Sequence, residues 1–312
     1  MRSGNLIEAI GNTPLVELPT FSPTPSVRIY AKLEGNNPTG SVKDRIARAM
    51  VQAALSDGIL SRDRILLEPT SGNTGISLAM VTHRLGYRFT AVMPDNVSVE
   101  RSQLLSAYGA EIVYSPGDGG SNGSIALAQE MAAADERYLM LYQYGNPANP
   151  QAHYETTAPE IIRDLPEVTH FVAGLGTGGT LMGVGRRLKE YNSAIEVIAA
   201  APEIDDRIQG LRSLEEGFVP PILDLSLLDG RIMVGGEESF QKTAEVLHKE
   251  GVFAGVSSGA VLAAAQRVAA RVSDANIVCL FADGGWKYLS TGLWTDEDAA
   301  GLREKVQGKV WW

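Results

Sequence analysis

Lys43 occupies a place in the chain where a helix should reject a cation. It lies in residues 34–45, EGNNPTGSVKDR, where the turn formers Asn36, Asn37, Pro38 and Gly40 deliver the backbone to Ser41. Val42, Ile46, Ala49, Met50 and Ala53 then recur at helical spacing. Ser41, followed three residues later by Asp44, reads as an N-cap with an acidic partner for the open amides, which makes Lys43 the second helical residue. The positive end of the helix dipole disfavours a cation there. Two readings stay open. One is an ammonium that bends out to water or to a carboxylate. The other is an amine kept partly neutral by the dipole and by burial, as a Schiff-base lysine requires.

Three Gly-rich strand-to-helix turns could supply what such a lysine would act on. Residues 174–180, GLGTGGT, form an anion cradle in which glycines let the backbone approach and a helix N-terminus adds its dipole. The hydroxyls of Thr177 and Thr180 suit a phosphate monoester. The literal string GxGxxG, with Glu203 just past the next strand, keeps a dinucleotide reading open, and a merely tight turn is the third possibility. Thr70-Ser71-Gly72-Asn73-Thr74-Gly75 could hold a carboxylate on hydroxyls and amides, with Asn73 as a neutral directional group; a simple helix cap explains one of these polar residues but not four. In Gly255-Val256-Ser257-Ser258-Gly259-Ala260 one serine can cap the helix, and the other is spare for a ligand.

Elements must bring these loops together. Residues 27–33, 65–67, 89–93, 111–114 and 138–142 read as strands and 74–85, 99–108 and 124–134 as helices. The run 143–151, QYGNPANPQ, marks a domain boundary. Helices are then expected at 158–164, 180–191, 239–250 and 258–271, and strands at 170–173, 195–200 and 277–281. The alternation predicts two three-layer α/β/α domains with mostly parallel sheets, residues 1–146 and 147–312, with 1–35 able to pack on the second. Ligands in such folds bind beyond the carboxyl ends of the strands, here in the cleft between the domains.

Composition narrows the partners. The 312 residues carry a formal charge of −10, which argues against nucleic acid and anionic membranes. No apolar run approaches the ~18 residues of a membrane span, and the N-terminus has no signal-peptide pattern. The single cysteine, Cys279, lies in the apolar run 277–282 and reads as a buried strand thiol, so a reducing cytoplasm is expected. His83, His153, His170 and His248 are scattered without metal-ligand spacing, and His153 is expected only to order its loop.

The motifs GNTPL, NPTGSVKDR, PTSGNTG, QYGNPANP, HYETTAPEI, GTGGT and GVSSGA run nearly end to end. With them the sequence resembles the cysteine synthase branch of the fold-type II pyridoxal-phosphate enzymes. The resemblance implies pyridoxal 5'-phosphate as cofactor and Lys43 as the lysine joined to it. It implies Asn73 as the partner of the 3-hydroxyl, Gly176, Thr177, Gly178, Gly179 and Thr180 as the phosphate cradle, and Ser257 as the partner of the pyridine nitrogen. Thr70, Ser71, Asn73 and Gln143 fall where that family binds the carboxylate of its amino-acid substrate. A serine carries no charge to keep the ring nitrogen protonated, so the ring is a weak electron sink, which suits prompt loss of a β-leaving group. The implied reaction has Lys43 remove the α-proton, the leaving group depart to give an α-aminoacrylate, and a sulfur nucleophile add to the β-carbon. A homodimer is implied too.

Residues 209–220, QGLRSLEEGFVP, depart from the IxGIGAGFxP pattern usual in O-acetylserine enzymes. With residues 285–292, GWKYLSTG, they resemble the actinobacterial O-phosphoserine-dependent cysteine synthases, which take sulfur from a thiocarboxylated carrier protein of ubiquitin-like fold. O-phosphoserine is therefore expected over O-acetylserine, with Arg212 as a fork of donors for phosphate. The bland alternative is a solvated Arg212 paired with Glu215 or Glu216 at helical spacing. Competing activities are an O-acetylserine sulfhydrylase, a cystathionine β-synthase-like enzyme and, from another class, a nicotinamide-dependent dehydrogenase. Trp311 and Trp312 are expected to pack on the body or a dimer interface, with covering of the cleft as the other reading.

Overall fold

The computed structural model describes residues 3–291 and Trp294, except 71, 98, 205 and 207; Ser71, Trp311 and Trp312, with the roles expected of them, lie outside the described residues. The chain begins with β1 (Leu15–Glu17) and β2 (Val27–Leu33), then α1 (Lys43–Ser56). A first α/β series follows: β3 (Ile65–Pro69), α2 (Asn73–Leu85), β4 (Arg88–Pro94), α3 (Val99–Ala107), β5 (Glu111–Ser115), α4 (Gly120–Ala134) and β6 (Tyr138–Met140). After α5 (Ala148–Ala152), a π-helical turn and α6 (Ala158–Asp164) comes the second series: β7 (His170–Gly174), α7 (Gly179–Tyr191), β8 (Glu196–Pro202), β9 (Gly230–Val234), α8 (Gly236–Glu250), α9 (Val256–Ala269) and β10 (Ala275–Phe281).

Two sheets result. The smaller runs β5-β4-β3-β6 and is parallel throughout. The larger runs β1-β2-β10-β7-β8-β9, parallel except for the β1–β2 pair at one edge. Both are two-layer-covered sheets of the expected α/β kind. β3 is buried at every position, as a parallel strand covered on both faces should be. α9 is buried along most of its length, and its alanines and Gly259 allow α8 to approach so closely that a Cβ on Gly259 would strike the Ser239 carbonyl. By sheet membership the first two strands go with the second series: β2 pairs with β10 over the whole of Val27–Leu33. The chain thus starts in the larger sheet, crosses to build the smaller one, and returns.

Three local expectations are corrected. Ser41 does not cap α1: Val42 holds that position, Lys43 is the first helical residue, and the Ser41 hydroxyl is buried without a partner among the described residues. Asp44 instead accepts hydrogen bonds from the Thr39 amide at 2.7 Å, the Thr39 hydroxyl and the Ser77 hydroxyl at 2.6 Å, so it ties the turn and α2 to α1. Nor does a serine cap α9, where Gly255 sits at the cap. The 143–151 run contains the short helix α5, because Pro150 falls in a first turn whose amides need no intrahelical acceptor. β9 was not foreseen either; it is an edge strand with one buried residue, too mixed to show a pattern.

Candidate active site

The carboxyl ends of β3, β7 and β10 and the start of α1 face one cleft. Lys43 reaches it because the turn before α1 is stitched to the end of β10: the Val42 amide donates to the Ala282 carbonyl at 2.8 Å, and Ser41 and Asp283 form an isolated bridge. Burial pulls the Lys43 amine below the usual lysine range, opposed by Asp283 and Glu34. Among the described residues its ammonium nitrogen has no hydrogen-bonded or ion-paired partner. The reading of an ammonium bent onto a carboxylate is therefore not what the fold builds.

Across the cleft, β7 delivers Gly176, Thr177, Gly178, Gly179 and Thr180 into the N-terminal turn of α7. Gly178 has φ +87°, a left-handed conformation that glycine adopts without strain. A Cβ on Gly179 would strike the Asn149 side-chain oxygen, and one on Gly176 would come within 2.9 Å of the Gly210 carbonyl. The amides of Gly176, Thr177 and Gly178 donate to no acceptor among the described residues. Asn149 donates to the Thr177 hydroxyl at 3.0 Å, and His153 Nε2 lies 3.2 Å from the Thr180 hydroxyl. Burial, aided by Arg45, takes His153 down to about 3, so the imidazole is neutral. Open amides, two fixed hydroxyls and a helix start make a fit for a phosphate dianion.

Thr70, Asn73 and Gln143 come together on the other wall. Thr70 Oγ1 accepts from the Gly75 amide at 3.0 Å, and the Thr74 hydroxyl donates to Gln143 Oε1 at 2.7 Å. Asn73 donates to Asp283 at 2.6 Å and accepts from Lys287 Nζ at 2.6 Å, so its amide orientation is fixed from both ends. Ser257, in the first turn of α9, is buried and lines the cleft.

Arg212 also lines the cleft, and it is only 6% exposed. Of the two partners expected at helical spacing, Glu215 is held instead by Arg231 at 2.7 Å and by Ser213, and the Glu216 side chain lies outside the described residues. Arg212 rests over the rings of Phe218 (4.7 Å) and Tyr144 (5.3 Å), and its Nη1 has no hydrogen-bond partner among the described residues. Gln209 Nε2 is likewise buried, unpartnered and on the cleft wall.

Sequence reading missed Arg101, Asp283, Lys287 and Tyr288, which close this end of the site. Arg101 and Leu105 are the buried residues of α3, four apart, so an arginine on the helix's inward stripe was the available signal. Asp283 sits just past the carboxyl end of a strand, where such sheets place ligands. It accepts from Asn73 and from the Tyr288 hydroxyl, and its Oδ1 is buried without a partner among the described residues. Burial lowers Lys287 to about 8 against the pull of Asp283 and Asp44.

The family model described as "Pyridoxal-phosphate dependent enzyme" matches residues 6–283. The chain belongs to this family. Cysteine synthase B of Escherichia coli (strain K12) is 42% identical over 293 residues, covering 94% of this chain and 96% of that one. The probable cysteine synthase of Bacillus subtilis (strain 168) is 43% identical over 303 residues, covering 93% and 97%. Among solved structures, O-ureido-L-serine synthase superposes with a TM-score of 0.89 at 38% identity, covering 96% of this chain and 98% of that one. The chain is a pyridoxal-phosphate-dependent enzyme of the transferase type, and the dinucleotide reading of the residue 174–180 loop is set aside. Among the described residues no helix is long and apolar enough to cross a membrane.

Proposed function

We propose that this enzyme is a cysteine synthase that replaces the β-substituent of an activated serine by sulfur, with O-phosphoserine preferred to O-acetylserine. The sulfur donor in this reading is a thiocarboxylated carrier protein of ubiquitin-like fold, or sulfide, and the working assembly is a homodimer. Pyridoxal phosphate, when bound, supplies an aldehyde carbon that joins to an amine and a ring that draws electrons from the substrate's α-carbon. Gly176 to Thr180 would hold its phosphate, Ser257 would be the uncharged partner of its ring nitrogen, and Asn73 would be the partner of its 3-hydroxyl. Thr70, Ser71, Asn73 and Gln143 receive the substrate's α-carboxylate. Lys43, half-buried at a helix start and with its amine below the usual lysine range, would carry the cofactor and would take and return the α-proton.

The observation behind the phosphate preference is Arg212: a buried guanidinium on the cleft wall, stacked on two aromatic rings, with one nitrogen left over. A desolvated cation is costly unless an anion meets it, and a phosphate ester offers one where an acetate ester does not. Arg212→Ala should lower kcat/KM for O-phosphoserine by about 10²-fold and for O-acetylserine by less than about 3-fold, in line with ~1.5–3 kcal/mol for a charge-assisted hydrogen bond. Equal losses on the two esters would leave O-acetylserine as the better reading.

A further inference from the structure

β6 pairs with β3 through Ile65–Tyr138, Leu66–Leu139 and Leu67–Met140, and the Leu141 amide still donates to the Leu67 carbonyl at 3.2 Å. There the backbone ladder stops. The next residue on β3 is Glu68, and its side chain takes over: Oε2 accepts from the Tyr142 amide at 2.7 Å and Oε1 from the Gln143 amide at 2.8 Å. Tyr142 has φ +56°, a left-handed conformation that a bulky residue keeps only when its surroundings impose it. From this turn Gln143 points its Oε1 at the Thr74 hydroxyl, and its carbonyl accepts from Asn149, which also donates to Thr177 of the cradle.

Glu68 is fully buried, and no cation pairs with it among the described residues. Burial pushes its carboxyl up to about 8 against the two amide hydrogen bonds, and the other titratable groups it acts on, the Tyr142 and Tyr144 phenols, are themselves raised by burial. A hydrocarbon would fill the same place without that cost. What a carboxyl group offers, and a hydrocarbon does not, is two oxygens at the spacing of two successive amides.

We propose that Glu68 is a positioning residue: it holds the turn at 142–143, and thereby sets Gln143 against Thr74 to receive the substrate's α-carboxylate. The second half of this rests on the reading of Gln143 given above. Glu68→Gln keeps the volume but offers one acceptor oxygen and turns an NH2 towards an N–H donor. In the Glu68→Gln holoenzyme, hydrogen-exchange protection of the Tyr142 and Gln143 amides should fall at least about 10-fold, with the β3–β6 ladder amides unchanged. KM for whichever of O-phosphoserine and O-acetylserine is turned over should rise by about 10-fold, with kcat within about 2-fold. Should Glu68→Gln not fold, Glu68→Asp, which withdraws the same carboxylate by one methylene, carries the same expectations. Unchanged protection at both amides would overturn the proposal, as would an unchanged KM in the Glu68 variant when Gln143→Ala raises it. If Gln143→Ala itself leaves KM alone, the carboxylate reading of Gln143 fails, and the exchange data still decide whether Glu68 holds the turn.

Discussion

Lys43 and Arg45 stand two residues apart in the first turn of α1, and the protein treats their charges in opposite ways. Arg45 is fully buried and saturated: it donates to Glu34 at 2.7 and 2.8 Å and to Glu160 at 2.7 and 2.8 Å. Lys32 adds a contact to Glu160 at 2.8 Å. Burial opposes the charge on Arg45, but the two carboxylates more than offset it and raise the group above its usual range. Lys43 faces the cleft with burial winning, so its amine is lowered. Arg212 resembles Lys43 in this respect, being a cation with a donor left over. The difference separates scaffold from chemistry. Charges whose partners are all internal fix β2, α1 and α6 against one another, whereas charges left incomplete mark where a cofactor or substrate must supply the partner.

Each side of this comparison can be broken separately. Lys43→Ala should lower turnover by about 10³-fold or more and remove the near-visible absorbance of the holoenzyme, while urea unfolding of the apoprotein stays within ~1 kcal/mol of wild type; residual turnover near wild type would sink its role. Arg45→Ala should act the other way round. It leaves Glu34 and Glu160 buried and uncompensated, costing ~3–5 kcal/mol in urea unfolding. Burial alone would raise these carboxyls, yet Arg45 with Lys32 holds Glu160 at about 2, and Arg45 with Thr13 holds Glu34 below its usual range. A depressed carboxyl contributes stability above its unfolded value and loses it as pH falls through the folded value. The gap between wild type and Arg45→Ala should therefore be widest at neutral pH and above, and narrow continuously as pH falls towards about 2. A gap that does not narrow would mean the arginine acts through packing and not charge.

The sequence was most readable where polar groups are forced into sheet-to-helix turns. Apart from β9, the strands and helices of both series, the glycine-rich turn at 176–180 and the place of Lys43 at a helix start could be read from glycine placement and apolar period, because those constraints are local. Contacts that depend on distant segments could not. Asp44 looked like a capping partner for Ser41, but its acceptors are spent on Thr39 and on Ser77, 33 positions away. The return of the chain that pairs β2 with β10 leaves no local mark, nor does the stacking of Arg212 on Tyr144 and Phe218. Helical spacing suggested a glutamate for that arginine, and tertiary packing gave the glutamate to Arg231 instead.

Two lysines near the cleft have amines below the usual range, the half-buried Lys43 and the buried Lys287. Among the described residues Lys43 has no acceptor, whereas Lys287 is bound to Asn73 at 2.6 Å. Borohydride reduction of the holoenzyme followed by peptide mass mapping tests that distinction most directly. One pyridoxyl group per subunit, on the peptide carrying Lys43, is the expected result; a pyridoxyl group on Lys287, or on no lysine, would contradict the account.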